Sequence, residues 1–156
     1  MKPIWLGVDW GQRRVGLAMS DPTGVIATPF QVLEVHGDGA AIRGILQVLE
    51  PHKVDRIVVG LPLSLNGSES PQTLKARRFA EKLALKTRVP VFYIDERLSS
   101  RQAERDLIGM GVRRERRKET VDSVAASLLL QAALDGALLA PVQVKNFPQE
   151  DSDVEV

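Results

Sequence analysis

Residues 4–9 read Ile-Trp-Leu-Gly-Val-Asp, a short apolar run that ends in a charge, and residues 15–20 alternate Val15, Leu17 and Met19 against Gly16, Ala18 and Ser20. A period of two marks a strand with two unlike faces. Gly11-Gln12-Arg13-Arg14 breaks the pattern between the runs, so a β-hairpin is expected. Residues 25–33 supply a third strand, in which Pro29 has no ladder donor and therefore suits an edge or a bulge. Ile42, Ile45, Leu46 and Leu49 share one stripe, which predicts a helix over 40–49. Residues 55–60 form a compact β-branched strand, and a polar loop follows over 61–70. Ser70-Pro71 then opens a helix to about residue 87, with the serine as N-cap and the proline at the first helical position. A strand over 89–94, a short helix over 99–110, a charged loop over 111–119 and a last helix from about residue 120 complete the order. In that helix Val121, Val124, Ala125, Leu128, Leu129 and Ala132 fall at a helical spacing that predicts the core-facing stripe, and Asp135-Gly136 supplies the stop.

Three antiparallel strands followed by strand–helix alternation imply an α/β fold. The expectation is one mixed five-stranded sheet with helices on both faces, because parallel pairs need crossover helices. A chain of 156 residues without internal repeats makes one domain, expected over 1–140, with an acidic tail over 141–156. Residues 149–156 carry Glu150, Asp151, Asp153 and Glu155 and no base. No window approaches the roughly 20 apolar residues needed to span a bilayer, so a cytoplasmic protein without a membrane partner is expected. Cysteine is absent, which excludes disulfide scaffolds, thiolate metal sites and cysteine nucleophiles. His36 and His52 lack the spacing of metal ligands, so candidate chemistry falls to the carboxylates.

Asp9 ends the first strand on the face it shares with Trp5 and Gly7, where Gly7 and Gly11 leave room. A carboxylate there is costly unless paired or bound to a cation; a strand-end turn residue is the plainer alternative. Asp95 and Glu96 end the fifth strand, and alternation allows at most one of them to face Asp9 without saying which. Asp122 sits in the first turn expected for the last helix, where the dipole alone would stabilise it by roughly 0.3–1 kcal/mol. Acids at two strand ends and a helix start can nevertheless converge on one edge of the sheet. That oxygen-rich arrangement holds Mg2+ or Mn2+.

Four ordered segments carry a more specific signal: residues 6–21 (LGVDWGQRRVGLAMSD), Val59-Gly-Leu-Pro62 with Asn66-Gly-Ser68, Asp95-Glu-Arg-Leu-Ser-Ser100, and Val121-Asp-Ser-Val-Ala-Ala126. Together they resemble the signatures of the YqgF/RuvX family, the Holliday-junction-resolvase-like proteins, over about residues 4–135. The resemblance implies an RNase H-like fold and a divalent-metal nuclease acting in 5′-end processing of pre-16S rRNA in ribosome biogenesis. It implies Asp9, Glu96 and Asp122 as the catalytic and metal-binding triad, with two metal ions about 3.5–4 Å apart clamping the scissile phosphate. Ser99 and Ser100 stand where the family often has threonines, and Asn66 replaces a common aspartate.

The formal charge of +1 predicts no partner, but its distribution does. Between residues 97 and 119, Arg97, Arg101, Arg105, Arg113, Arg114, Arg116, Arg117 and Lys118 face four acids, a local charge of +4. Arg97, Arg113, Arg114, Arg116, Arg117 and Lys118 are therefore candidate phosphate contacts, the alternative being a merely solvated loop. Asn66 and Ser68 precede a helix N-terminus that could receive a phosphate, although a structural turn explains them equally well. The expected partner is RNA, single-stranded DNA or branched DNA, bound by a monomer or homodimer; a junction resolvase would need a symmetric dimer. The rival readings are a junction or repair nuclease, an ATPase of the actin type, for which this chain has room for only one of two domains, and a noncatalytic ribosome maturation factor. The last has no use for three acids.

Overall fold

The structure is a computed structural model that describes residues 2–99 and 114–144, without the side chains of 114–121. The hairpin is β1 (Ile4–Trp10) and β2 (Arg14–Ser20), followed by β3 (Ala27–Glu34), α1 (Asp38–Leu49), β4 (Val54–Leu61), α2 (Pro71–Lys86) and β5 (Val91–Asp95). A single 3-10 turn, Glu96–Leu98, leaves β5; α3 (Arg114–Leu134) and the two-residue β6 (Ala140–Pro141) come last. The sheet order is β3-β2-β1-β4-β5-β6, with β1, β4 and β5 parallel and the other pairings antiparallel.

The sheet thus has six strands and not the five expected. The extra strand pairs Ala140 with Tyr93 and Pro141 with Phe92, and two residues are too few for any alternation to announce. Pro29 is where its missing donor predicts: β3 is an edge strand, and its register with β2 slips between Ala18↔Pro29 and Leu17↔Gln31. In the turn before β3, Asp21 accepts the backbone N–H of Val25 and of Ile26 as well as the Thr23 hydroxyl. Those donors, the hydroxyl foremost, pull its carboxyl down to about 2. Ser70 caps α2 and exchanges hydrogen bonds with Thr73 in a capping box, as Ser70-Pro71 predicts.

Among the described residues two helices cover one face of the sheet and one covers the other. On the first face Leu6, Val8, Leu17, Ile57 and Val59 bury against Ile45 of α1 and Phe79 and Leu83 of α2. Each such side chain, fully removed from water, contributes about 1.5–3 kcal/mol. On the second face Ala18, Val58 and Ile94 meet Ala126, Leu129, Leu130 and Ala133 of α3. Among the described residues no helix is long and apolar enough to cross a membrane.

Two expectations for α3 are corrected. Residues 114–119 form the beginning of the helix and not a loop. Arg, Glu and Lys are strong helix formers, and this stretch contains neither glycine nor proline to stop them. The buried stripe runs through Ala126, Leu129, Leu130 and Ala133, rotated by about one residue from the one predicted. Residues 124–134 are apolar nearly all round, so periodicity could not set the phase; the small side chains went to the close contact. The helix ends as expected, with Gly136 at φ 102° and Ala137 N–H bonded to the Ala132 carbonyl at 3.0 Å. The expected helix over 99–110, the rest of the charged loop and residues 145–156 of the tail lie outside the described residues.

The phase of α3 is set by glycines. A Cβ on Gly16 would lie 2.1 Å from the Asp122 carbonyl oxygen, and one on Gly7 2.8 Å from Leu130 Cβ. Gly16→Ala should therefore lower unfolding stability in a urea titration by about 1–3 kcal/mol through overpacking. Gly39→Ala, which meets nothing closer than an arginine tip at 3.6 Å, should be neutral or stabilising by up to about 1 kcal/mol. Equal effects at the two positions would remove the glycine constraint.

Candidate active site

Asp9 is the penultimate residue of β1, and the strand's alternation puts it on the α3 face with Gly7, which touches that helix. Across the ladder its partner is Gly16 of β2. On its other side β1 runs parallel to β4 in the register Val8↔Val59, so the next residue of β4 is Gly60. Asp9 is thus flanked by two glycines, and each has an acidic residue above it. Gly16 lies beneath the Asp122 backbone; a Cβ on Gly60 would come within 3.0 Å of Glu96 Cγ and 3.2 Å of Glu96 Oε1. Three acids from a strand end, a 3-10 turn and a helix are brought to one edge of the sheet.

The choice between Asp95 and Glu96 has a local cause. Asp95 caps the 3-10 turn through the Arg97 N–H at 2.9 Å and pairs with the Arg97 guanidinium at 2.6 Å. Those hydrogen bonds hold its carboxyl below the usual carboxylate range. Glu96, already past the strand, no longer obeys strand alternation, and its side chain lies over Gly60.

Asp122 is not in the first turn of its helix, since α3 starts at Arg114, so the helix-start explanation of this acid does not hold. It lies at i−4 from Ala126 on the sheet-facing stripe and is half-buried. Burial pushes its carboxyl above the usual range, and the charge of Arg14 opposes that shift. Arg14 was missed by the motif reading. Its signal was present, because residues 14, 16 and 18 of β2 share the face that α3 covers.

The remaining candidates are distributed differently. Arg97 also donates to the Leu65 carbonyl at 3.1 Å, so it ties loop 64–68 to the end of β5. Within that loop Asn66 Oδ1 accepts from the Ser68 N–H at 3.0 Å and its hydroxyl at 2.7 Å, around Gly67 at φ 87°. The two side chains are engaged in a turn of their own. Arg114, Arg116, Arg117 and Lys118 lie on the first turns of α3, and Arg113 lies outside the described residues.

In kind, the donors suit a hard divalent cation, because all are carboxylate oxygens. In position, no group of three metal-ligating side chains is drawn together among the described residues.

The comparisons with known proteins agree with this architecture. A family model described as RuvX, Holliday junction resolvase, matches residues 3–136. Among relatives, one from Syntrophomonas wolfei is 40% identical over 86% of this chain and 95% of its own length. Another, from Chloroflexus aggregans, is 42% identical over 83% and 92%. Both bear the name "Putative pre-16S rRNA nuclease". Among solved structures, RuvC of Thermus thermophilus aligns with a TM-score of 0.57 at 15% identity, covering 88% of this chain and 99% of RuvC. The fowlpox virus resolvase in complex with Holliday junction DNA aligns at 0.51 and 12% identity, over 84% and 98%. At these identities the structural likeness is one of fold, the RNase H-like fold. The match to the sequence model spans the hairpin, strands β1 to β5 and α3, and the chain belongs to the RuvX family.

Proposed function

We propose that this protein is a divalent-metal-dependent nuclease that hydrolyses phosphodiester bonds at Asp9, Glu96 and Asp122. Its work is then 5′-end processing of pre-16S rRNA in the cytoplasm; the relatives' name supports the pre-16S rRNA part of that reading. The observation that supports the reading is the pair of glycines that flank Asp9: Gly16 lies under the Asp122 backbone and Gly60 under the Glu96 side chain. A phosphodiester seated over that edge meets Asp9 from the sheet, Glu96 from the turn after β5 and Asp122 from the helix. Their oxygens orient the attacking water, and Arg14 adds positive charge beside Asp122. Mg2+ or Mn2+ held by the three carboxylates would lower the pKa of that water and neutralise charge on the leaving oxygen.

Substrate binding falls to the cationic first turns of α3. Lys118 precedes Asp122 by four residues, a rise of about 6 Å, so Arg114, Arg116, Arg117 and Lys118 belong to the same helix that carries an acid. With Arg113 they are the phosphate contacts, and Arg97, Asn66 and Ser68 shape the neighbouring loop. The family description favours a second reading, a junction resolvase. Parallel assays on single-stranded RNA, single-stranded DNA and four-way junctions, with a solution mass measurement, separate them: junction cleavage by a dimer supports the resolvase.

Asp9→Asn, Glu96→Gln and Asp122→Asn should each abolish cleavage of labelled single-stranded RNA in manganese while leaving binding in chelator intact. Full activity in any of them would remove that acid from the mechanism. Asp122→Asn should also raise the thermal midpoint at neutral pH. Its carboxyl is raised in the folded state, so the stability linked to that group is complete below the ordinary value of 3.8 and is lost as pH rises through the folded pKa. Asparagine cannot ionise, so the variant's stability should decline less between acid and neutral pH; a parallel decline would contradict the burial. Changing Arg113, Arg114, Arg116 and Arg117 together to alanine should shallow the slope of log K against log salt by about 3, at roughly 0.7 per single-strand phosphate contact. An unchanged slope would leave those residues without that role.

A further inference from the structure

On the other face of the same hairpin lies a pocket of about 1060 Å³ that the nuclease reading does not use. Trp10 lines it. The indole follows Asp9 in β1, so alternation turns it to the α1/α2 face while Asp9 turns to α3. The two sites lie on opposite faces of the hairpin near its turn, residues 11–13, and Arg14 belongs to both: it lines the pocket and its charge is felt at Asp122.

The charge of the pocket is unbalanced. Five cationic side chains, Arg13, Arg14, Lys75, Arg78 and Lys82, border it against two carboxylates, Glu34 and Asp38. Both carboxylates already have partners. Arg14 Nε meets Glu34 at 3.0 Å; Asp38 takes Lys82 Nζ at 3.5 Å and the Trp10 indole N–H at 3.2 Å. Among the described residues Arg13, Lys75 and Arg78 carry no salt bridge. Lys75 and Arg78 are three residues apart on α2, a spacing at which like charges repel unless an anion lies between them. The N-terminus of α1 opens on the same pocket, and its N-cap, Gly37 at φ 92°, offers no side-chain cap. An aromatic ring, three cations without counter-ions and an uncapped helix start therefore border one concavity. A phosphodiester chain with stacking bases satisfies all three.

We propose that this pocket is a subsite for the nucleotides that flank the scissile bond on one nucleic-acid strand. The strand passes over the hairpin turn from the carboxylates, sets its phosphates on Arg13, Lys75 and Arg78, and lays a base against Trp10. The direction of the strand rests on the nuclease reading above; the anion-binding pocket does not.

The test is a fluorescence-anisotropy titration of the full chain, in chelator, with labelled single-stranded RNA about 15 nucleotides long, a usual reach for such grooves. It is repeated over a salt series for the wild type, for Arg13→Ala/Lys75→Ala/Arg78→Ala and for Lys53→Ala/Arg88→Ala. All five positions are exposed, and the last two lie at the opposite end of the sheet. The triple variant should bind at least tenfold more weakly and shallow the salt slope by about 2, at roughly 0.7 per phosphate. The control variant should keep the wild-type slope. A triple-variant slope equal to that of the control, or no RNA binding by the wild type, overturns the subsite. Cleavage is measured separately with manganese, so a shifted slope in a protein that cleaves nothing upholds the pocket while the nuclease reading falls.

Discussion

The close approach of α3 to the sheet is the contact on which the rest of the molecule depends. A helix axis normally lies about 10 Å from the backbone it packs against, kept there by side chains on both sides. Here Gly7, Gly16 and Gly60 remove the side chains on one side, and Ala126 and Ala133 are small on the other. The helix settles until a backbone carbonyl lies where a Cβ of Gly16 would be. That contact selects the rotation of α3 about its own axis, and the rotation carries Asp122 onto the sheet-facing stripe. Packing and candidate chemistry are one constraint, since a helix held farther out would carry its acid away from Asp9.

Polar contacts hold what the glycines admit. Gln131 of α3 accepts from the Ala27 N–H at 2.9 Å and donates to the Val25 carbonyl at 2.8 Å, which fastens the helix to the start of β3. Arg97 bridges Asp95 and the carbonyl of Leu65, so the end of β5 and the loop after β4 move together. The acid that takes part in this bracing, Asp95, is the one held ionised by its arginine. The one that faces α3 is its neighbour. Two adjacent carboxylates have separate tasks because the chain leaves the strand between them.

Charge is arranged around the hairpin turn in the same economical way. Acids occupy the α3 face at the end of β1, and cations occupy the α1/α2 face at that end, with Arg14 between them. The net charge of +1 hides this separation. Alternation along β1 suffices to create it, because Asp9 and Trp10 are consecutive residues and must point in opposite directions.

Much of this was legible in the residues. Alternation in the hairpin, the cap at Ser70, the proline on an edge strand and the stop at Gly136 are local effects, and each was realised because neighbouring atoms decide it. The order of elements and the acids at strand ends followed from the same local rules. Three features did not. Two-residue β6 is too short to leave a pattern, and the start of α3 was hidden by a charge run that reads equally well as a loop. The face of α3 was ambiguous because a helix apolar nearly all round has no preferred phase of its own. Only the sheet's glycines, distant in sequence, could supply one. The sequence by itself determined which residues could form the candidate site; the tertiary structure decided that the Asp122 backbone and the Glu96 side chain lie over the two glycines that flank Asp9, because which surfaces can approach most closely is a property of two elements together and of neither alone.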